Sequence, residues 1–168
     1  DKGSIKLGIN KMILNAKKSI YIHTPYLIPD DSMLDALQIA SNSGVEIYVI
    51  IPGKPDKKIV YHVTYSYVQQ LLNYNIKVYK YNGFLHSKMI IIDDEIVTIG
   101  TTNFDIRSFD LHFEINAFIY DSKIAKECIE QFFKDISSSE RITNEIYNSR
   151  GLMNKFLEGI FSLFAPLM

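Results

Sequence analysis

Short β-branched segments alternate with helical patterns over most of this chain, and that alternation constrains the fold more than any other feature of the sequence. The strand-like segments are rich in Ile, Val and Tyr, which is typical of buried strands; they are SIYIH (19–23), VEIYVII (45–51) and IKVYKY (76–81). The segments between them, 31–43 and 58–73, place apolar residues at helical spacing. The alternation predicts an α/β domain.

Consecutive strands follow in the second half of the chain. The apolar run around His86 predicts a strand that ends at the turn Asp93–Glu95. The next predicted elements are a strand (96–100), an irregular segment (101–109), a strand (111–120) and an amphipathic helix (122–137). In the strand 111–120, alternation places five apolar residues on one face: Leu111, Phe113, Ile115, Ala117 and Ile119. The whole pattern predicts a mixed central sheet with helices on both faces, a three-layer α/β/α sandwich, and 168 residues suffice for one such domain.

Helices are also predicted at both ends of the chain. The first begins at Ser4, which is a suitable N-cap. The last, an amphipathic helix within 150–168, carries an apolar stripe that includes Phe156, Phe161 and Phe164. Such a helix either docks on the domain or lies on a membrane surface or a partner.

Composition and charge narrow the class of protein. The formal net charge is −1 and the isoelectric point is near 6.5, whereas domains that bind a nucleic-acid backbone usually carry a basic excess. We therefore expect no nucleic-acid partner. The single cysteine excludes an intrachain disulfide and a cysteine-based zinc site. No apolar run reaches the ~18 residues that span a bilayer. Because the chain begins at Asp1 within a helical pattern, we expect a soluble piece of a longer protein, which would hold any membrane anchor.

The segment from His86 to Asn103 contains the residues suited to chemistry on a phosphate ester. His86 and Lys88 are two residues apart, so on a strand their side chains project from the same face. Attack on a phosphodiester needs donors for the anionic oxygens, a nucleophile, and an acid for the leaving alcohol. Lys88 and the Asn103 amide are suitable donors, and His86 is a suitable nucleophile or acid. No metal ion or other cofactor is required, because lysine supplies the positive charge.

Neighbouring residues are assigned supporting roles. Asp93 is an odd number of residues from His86 and lies at a turn, which favours bonds to turn amides over contact with substrate. Gly100 forms the next turn, and Thr101 either adds a hydroxyl to the site or holds that turn. A catalytic histidine needs an acceptor on its other ring nitrogen. Glu114, on the polar face of its predicted strand, is the candidate.

Together these positions read His86-x-Lys88-x4-Asp93-x6-Gly100-Thr101-x-Asn103, which resembles the HKD signature of the phospholipase D superfamily. The resemblance implies that superfamily's α/β/α sandwich and a metal-independent displacement through a phosphohistidine. It also implies that Lys88 and Asn103 bind phosphate and that Glu114 is the acidic partner of His86.

Only one such motif is present, although enzymes of the superfamily build one active site from two. Either two copies of this chain pair, or the chain is one half of a two-motif enzyme. The second arrangement is favoured by a wider resemblance to the C-terminal half of bacterial cardiolipin synthases. That resemblance is carried by TPYLIPDDSMLDAL (24–37), VIIPGKPDKKIVYHVTYSY (49–67), GFLHSK (83–88) and GTTNFDIRSFDLHFEIN (100–116).

The resemblance to cardiolipin synthases implies a reaction and a location. One phosphatidylglycerol transfers its phosphatidyl group to a second, which yields cardiolipin and glycerol at the bacterial cell membrane. One half of the site does not decide whether His86 is nucleophile or general acid; analogy with two-motif relatives favours the acid. The alternative is a phosphodiesterase of the same superfamily, either a phospholipase D or a homodimeric nuclease.

Four residues outside the motif are candidate substrate contacts. His23 and Tyr26 follow a predicted strand end, where α/β sheets often place ligand residues. Tyr61 lies on a tyrosine-rich predicted helix, and Arg107 closely follows the motif. Each also has a simple structural interpretation: a buried or surface histidine, helix packing, or an ion pair with a nearby aspartate.

Overall fold

The computed structural model describes residues 3–163, apart from the side chains of Lys58, Leu152, Asn154, Lys155 and Phe156. Its strands are β1 (Ser19–His23), β2 (Leu27–Ile28), β3 (Glu46–Pro52), β4 (Lys77–Tyr81), β5 (Met89–Ile92), β6 (Ile96–Gly100), β7 (Phe104–Asp105), β8 (Asn116–Tyr120) and β9 (Ser139–Ile142). Its helices are α1 (Ser4–Asn15), α2 (Asp31–Asn42), α3 (Lys58–Asn73), α4 (Ile106–Asp110), α5 (Ser122–Ser137), α6 (Asn144–Asn148) and α7 (Leu152–Ser162).

Seven strands form the central sheet, in the order β8-β6-β5-β1-β3-β4-β9. β1 pairs in parallel with β3, and β3 with β4, since a helix crosses between the strands of each pair. The remaining pairs of this sheet are antiparallel, while β2 and β7 form a separate parallel pair. The predicted mixed sheet is confirmed.

Helices cover both faces of the sheet. All five residues of β1 are buried, which explains their nearly continuous apolar character. Ile20 and Ile22 join the core formed with α1, α2 and α3. Tyr21 points to the other face, where its ring meets Phe132 of α5 edge-on at a centroid distance of 5.3 Å. The predicted three-layer sandwich is therefore confirmed.

The strand predicted around His86 begins later than the sequence pattern indicates. β5 starts at Met89, so His86 and Lys88 lie in the connection before it, and the expectation of a shared strand face is wrong. Residues 89–92 are buried and paired with both neighbouring strands. The preceding residues extend past the end of this ladder, and His86 is exposed there.

The strand predicted over 111–120 is also shorter than expected, because β8 begins at Asn116. Leu111, Phe113 and Ile115 are 57%, 95% and 74% exposed, so their alternation does not mark a buried face. The chain leaves α4 at Asp110 and must return to the sheet edge before it can pair with β6.

Smaller differences occur in the other connections. Gly3, with φ 88°, is the N-cap of α1, and the expectation for Ser4 is wrong. The segment predicted as irregular contains β7 and α4. Neither β9 nor α6 was predicted; β9 is a short polar strand at the sheet edge.

The C-terminal helix α7 packs against α3. The ring of Phe161 stacks on His62 with centroids 5.7 Å apart and joins a small apolar cluster with Ile28 and Val63. Docking on the domain is thus the arrangement of 152–162. Phe164 and the side chain of Phe156 lie outside the described residues. Within 3–163 there is no helix of the length and apolar character needed to cross a membrane.

Candidate active site

Connections that meet at one end of the sheet carry the candidate catalytic residues. Lys88 directly precedes β5, and its carbonyl accepts a hydrogen bond from the Gly100 N–H at 3.3 Å. This bond ties the connection that holds His86 to the one that leads to Asn103. The Nζ atom of Lys88 donates to the main-chain oxygen of His86 at 2.7 Å. The ammonium group therefore lies beside the backbone that carries the imidazole.

Aromatic rings define the surroundings of His86. The Phe84 ring stacks on the imidazole with centroids 5.7 Å apart and planes at 12°. Tyr26 approaches the imidazole edge-on at 6.5 Å, and its hydroxyl donates to the Asp56 carboxylate at 2.5 Å. The imidazole is exposed to solvent between two aromatic neighbours.

Lys88 faces three carboxylates from a half-buried position. Burial lowers the pKa of Lys88 below its ordinary value, and the negative charges of Asp56, Glu114 and Asp105 oppose that effect. An ammonium group that has lost part of its hydration gains from an additional anionic ligand. Lys88 is therefore suited to bind the anionic oxygens of a phosphate group.

Asp105 supports the side chain of Asn103. Asp105 is 3% exposed, caps α4 by accepting from the Ser108 N–H at 2.6 Å, and hydrogen-bonds the Asn103 side chain. Burial raises the pKa of Asp105 above its usual value, and these hydrogen bonds oppose the rise. Among the described residues, Oδ1 of Asn103 is buried without a hydrogen-bond partner. This oxygen is an acceptor at the edge of a cavity, so a donor group of a ligand, such as a hydroxyl, can satisfy it.

Glu114 lies beside His112 in the connection before β8. Its Oε1 is 3.4 Å from Nδ1 of His112, and its side chain is 12% exposed. No ion pair joins Glu114 to His86 in the described part of the chain. The structure instead places the Glu114 charge where it acts on Lys88, and an orienting role toward His86 stays a proposal.

Asp93 lies at the opposite end of β5 from His86. Its carboxylate accepts from the N–H groups of Lys17, Lys18 and Ser19 at 2.7, 2.7 and 3.0 Å. These amides belong to the last residues before β1 and to the first residue of that strand, rather than to the turn that contains Asp93. The carboxylate therefore joins the β5–β6 turn to the start of β1, and the backbone of Asp93 has the left-handed φ of 54°.

Gly100 and Thr101 fix the position of Ile115, the residue directly before β8. A Cβ atom at Gly100 would lie 2.1 Å from the main-chain oxygen of Ile115, so only glycine fits. The Thr101 hydroxyl accepts from the Ile115 N–H at 3.0 Å. The Thr101 N–H in turn donates to the Ile115 oxygen at 2.9 Å. Of the two roles considered for Thr101, these bonds describe the structural one.

His23 is buried against helix α5. It is 3% exposed and packs against Phe132 of α5, with ring centroids 4.6 Å apart. Burial lowers its pKa to about 4, and the charge of Asp135, 3.3 Å away, opposes this shift. His23, Lys88 and Asn103 together line a void of only about 10 Å³. His23 thus belongs to the α5 side of the sheet.

Of the remaining candidates, Tyr61 packs within the helical layer, whereas Arg107 and Tyr26 line a cavity. The Tyr61 ring lies 4.6 Å from that of Tyr65 on α3. The cavity has a volume of about 540 Å³. Its apolar walls are Ile28, Ile59 and Val60, and its polar groups are those of Tyr26, Lys57, Asn103, Asp105, Arg107 and His112. Apolar walls with cations at the rim suit an amphiphilic anion.

Sequence reasoning missed Asp56 and the apolar wall formed by Ile59 and Val60. These residues follow β3, a strand with parallel neighbours on both sides. The carboxyl ends of such strands commonly carry ligand residues. The same rule pointed to His23 and Tyr26 after β1, and it would also have indicated the connection after β3.

Comparison with known sequences gives the family. Residues 9–136 match the profile of the family described as cardiolipin synthase, PLD-like domain. Cardiolipin synthase 1 of Staphylococcus epidermidis is 50% identical over 169 residues, which cover 100% of this chain and 34% of the relative. Cardiolipin synthase 1 of Staphylococcus aureus is 47% identical with the same coverage. The chain spans about a third of the length of these relatives.

Solved structures show the same fold. Nuc, a phospholipase D family member from Salmonella typhimurium, has a TM-score of 0.74 at 21% identity, over 84% of this chain and 93% of that chain. Phosphatidylserine synthase from Haemophilus influenzae has a TM-score of 0.72 at 16% identity, over 99% of this chain and 44% of that chain. The fold, the HKD motif and the match over most of the sequence agree. The chain belongs to the phospholipase D-like domain family of cardiolipin synthases.

Proposed function

We propose that this chain is one catalytic half of a cardiolipin synthase, which transfers a phosphatidyl group between two molecules of phosphatidylglycerol. The observation that carries the proposal is the placement of three motif residues. Lys88 contacts His86 and lines a small void together with Asn103, and Asn103 also lines a cavity with apolar walls. A nucleophile or acid, a phosphate-binding cation and an amide donor are the groups that phosphodiester exchange needs. The identity of 47–50% to cardiolipin synthases supports the lipid substrate.

The proposed reaction has two displacements at phosphorus. In the first, a histidine nitrogen attacks phosphatidylglycerol; a P–N bond forms, the P–O bond to glycerol breaks, and a second histidine gives the leaving glycerol its proton. In the second, a hydroxyl of another phosphatidylglycerol attacks the phosphatidyl-histidine. The P–N bond breaks, the P–O bond of cardiolipin forms, and the hydroxyl proton returns to the second histidine.

Each proposed role follows from a position in the site. Lys88 and Asn103 hold the non-bridging oxygens in both displacements. His86 serves as one of the two histidines, and we assign it the acid role. Glu114, whose charge already acts on Lys88, orients an imidazole when the site is complete.

The second histidine comes from another HKD half, either elsewhere in a longer protein or in a second copy of this chain. An exposed apolar surface next to the site supports such an arrangement. Phe84, Leu111, Phe113 and Ile115 are 62%, 57%, 95% and 74% exposed. A surface of this kind meets a partner domain or a lipid surface. We therefore propose that the parent protein works at the bacterial cell membrane.

Hydrolysis by the same groups is the alternative function. A phospholipase D would release phosphatidate, because water would replace the lipid hydroxyl in the second displacement. A nuclease would need to hold an extended polyanion. The formal net charge of −1 and the apolar cavity walls do not favour that ligand.

Product analysis decides between these functions. The full-length parent protein is incubated with vesicles of phosphatidylglycerol, and the lipid products are separated by mass. We expect cardiolipin and glycerol in equal amounts. Phosphatidate without cardiolipin would reject the synthase and support the phospholipase. Cleavage of single-stranded DNA with intact lipid would support the nuclease.

A further inference from the structure

Asp56 is a carboxylate of the site that lies outside the HKD motif. It is exposed in the connection between β3 and α3, so it reaches the site from an element that holds none of the motif residues. The Tyr26 hydroxyl donates to its Oδ2 at 2.5 Å. Because the Tyr26 ring also meets the imidazole of His86 edge-on, one tyrosine links the carboxylate to the catalytic histidine.

The charge of Asp56 acts directly on the catalytic residues. Burial works to raise the pKa of Asp56, but the hydrogen bond from Tyr26, backbone N–H groups and the charge of His86 lower it below the usual value. Asp56 is also the carboxylate with the largest effect on Lys88, ahead of Glu114. An ionised carboxylate is therefore fixed within the field of both His86 and Lys88.

A fixed negative charge does not favour phosphate binding, because it repels the phosphate oxygens. It attracts hydrogen-bond donors instead, and the donors of this substrate are the hydroxyl groups of its glycerol. One oxygen of Asp56 accepts from Tyr26. The carboxylate retains further acceptor positions.

Resting on the proposed function, we propose that Asp56, held by Tyr26, accepts hydrogen bonds from glycerol hydroxyl groups and so selects a polyol over other alcohols as the group exchanged at phosphorus. The selected alcohol attacks the phosphatidyl-histidine through one hydroxyl; the P–N bond breaks, a P–O bond forms, and the proton passes to the acid histidine. Asp56 takes no proton in this step. It holds the adjacent hydroxyl, which does not react.

A competition between two alcohols tests this role. The full-length parent protein acts on phosphatidylglycerol vesicles in the presence of equal concentrations of deuterated glycerol and 1-propanol. The products are deuterated phosphatidylglycerol and phosphatidylpropanol, and their ratio reports selection of the polyol. Asp56→Asn keeps the shape and an acceptor for Tyr26 but removes the charge. We expect the glycerol to propanol ratio to fall about tenfold, as for loss of a charged hydrogen bond.

Two further variants provide a second test of this role and a control. Tyr26→Phe keeps the ring beside His86 but removes the hydroxyl that holds Asp56, so we expect the ratio to fall in the same direction by about threefold. Asp94→Asn removes a carboxylate at the β5–β6 turn, and the ratio should equal that of the unaltered protein. Melting temperatures of all variants verify folding.

The outcomes separate this inference from the proposed function. An unchanged ratio in Asp56→Asn would overturn the role of Asp56, and so would an equal fall of both products, since a counter-ion of Lys88 affects every alcohol alike. Cardiolipin formation by the unaltered protein would still uphold the synthase. An unaltered protein that yields only phosphatidate, with neither alcohol incorporated, would reject both.

Discussion

At the scale of single residues, His23 links the stability of the fold to pH. Its imidazole is 3% exposed, and its pKa in the folded chain is about 4, compared with 6.5 for the free side chain. Between pH 6.5 and 4, His23 is therefore protonated in the unfolded chain and neutral in the folded chain. The contribution of neutral His23 to the free energy of unfolding is fully present above pH 6.5 and is lost as the pH falls toward 4. Asp135, which faces the ring at 3.3 Å, reduces the effect without reversing it.

The expected size of this effect is about 2 kcal/mol between pH 7 and pH 5, from the pKa difference. Urea unfolding at the two pH values measures it. His23→Gln removes the titrating group, and its loss of stability over the same interval should be smaller by that amount. Equal pH dependence in both proteins would show that His23 is not held neutral in the folded chain.

The second prediction at this scale concerns Asp93. Its carboxylate accepts three backbone hydrogen bonds from residues 17–19, where the chain enters β1. Asp93→Ala leaves three amides without their charged acceptor and places alanine at a left-handed φ. We expect the free energy of unfolding to fall by about 3 kcal/mol, as measured by urea denaturation. Asp93→Asn, which tolerates this φ and keeps one acceptor oxygen, should lose about half as much.

A structural role for Asp93 also predicts how its variants affect the rate of lipid transfer. Where the variants remain folded, the rate of lipid transfer should stay within about twofold of the unaltered protein. A variant of full stability that loses transfer by orders of magnitude would place Asp93 in the chemistry instead.

At the scale of elements, buried ion pairing fixes the C-terminal helix α7 to the domain. Arg150 pairs with Glu158, which is 5% exposed. The guanidinium also lies over the ring of Tyr147 at 3.6 Å and near that of Tyr65 at 5.0 Å. The pair thus joins α7 to α6 and α3.

Removal of one partner leaves the other charge buried and unpaired, which costs about 3–5 kcal/mol. For Glu158→Ala we expect α7 to open, so that amide hydrogens of 152–162 exchange faster while those of β1 and β3 keep their protection. Glu145→Ala, at an exposed position of α6, is the matched control and should change neither. Unaltered exchange in 152–162 would contradict the role of the pair.

Elements could be predicted from the sequence where one periodicity extends over the whole element. The ranges of β1, α3, β6 and α5 agree with the pattern, because each presents a buried face along its full length. β5 and β8 start later than predicted. Their first residues have strand-like composition, but strand formation also requires a partner, and neither His86 nor Phe113 is paired with a neighbouring strand. β-Propensity describes the side chain and not the presence of that partner.

The candidate site, too, could be predicted from the sequence only in part. His86, Lys88 and Asn103 follow from chemistry and motif spacing. The burial of His23 against α5 and the approach of Asp56 from another connection depend on the tertiary arrangement. Spacing along the chain does not encode these contacts, since each joins residues far apart in the sequence.

At the scale of the whole molecule, the domain carries one HKD motif and, near it in the sequence, the exposed apolar side chains of Phe84, Leu111, Phe113 and Ile115. In that motif the exposed imidazole of His86 lies next to the partly desolvated Lys88, whereas the proposed exchange needs two such histidines. The proposed activity therefore requires an assembly of two HKD halves, in which His86 is one of the two reacting imidazoles.

The most direct test measures cardiolipin formation by the full-length parent protein and by its His86→Ala variant in vesicles of phosphatidylglycerol. His86 is exposed, so the variant should keep its melting temperature within ~1 °C. We predict a fall in the rate of cardiolipin formation of at least about a thousandfold, as expected for loss of a nucleophile or acid. Cardiolipin formed by the folded variant at the rate of the unaltered protein would contradict the account.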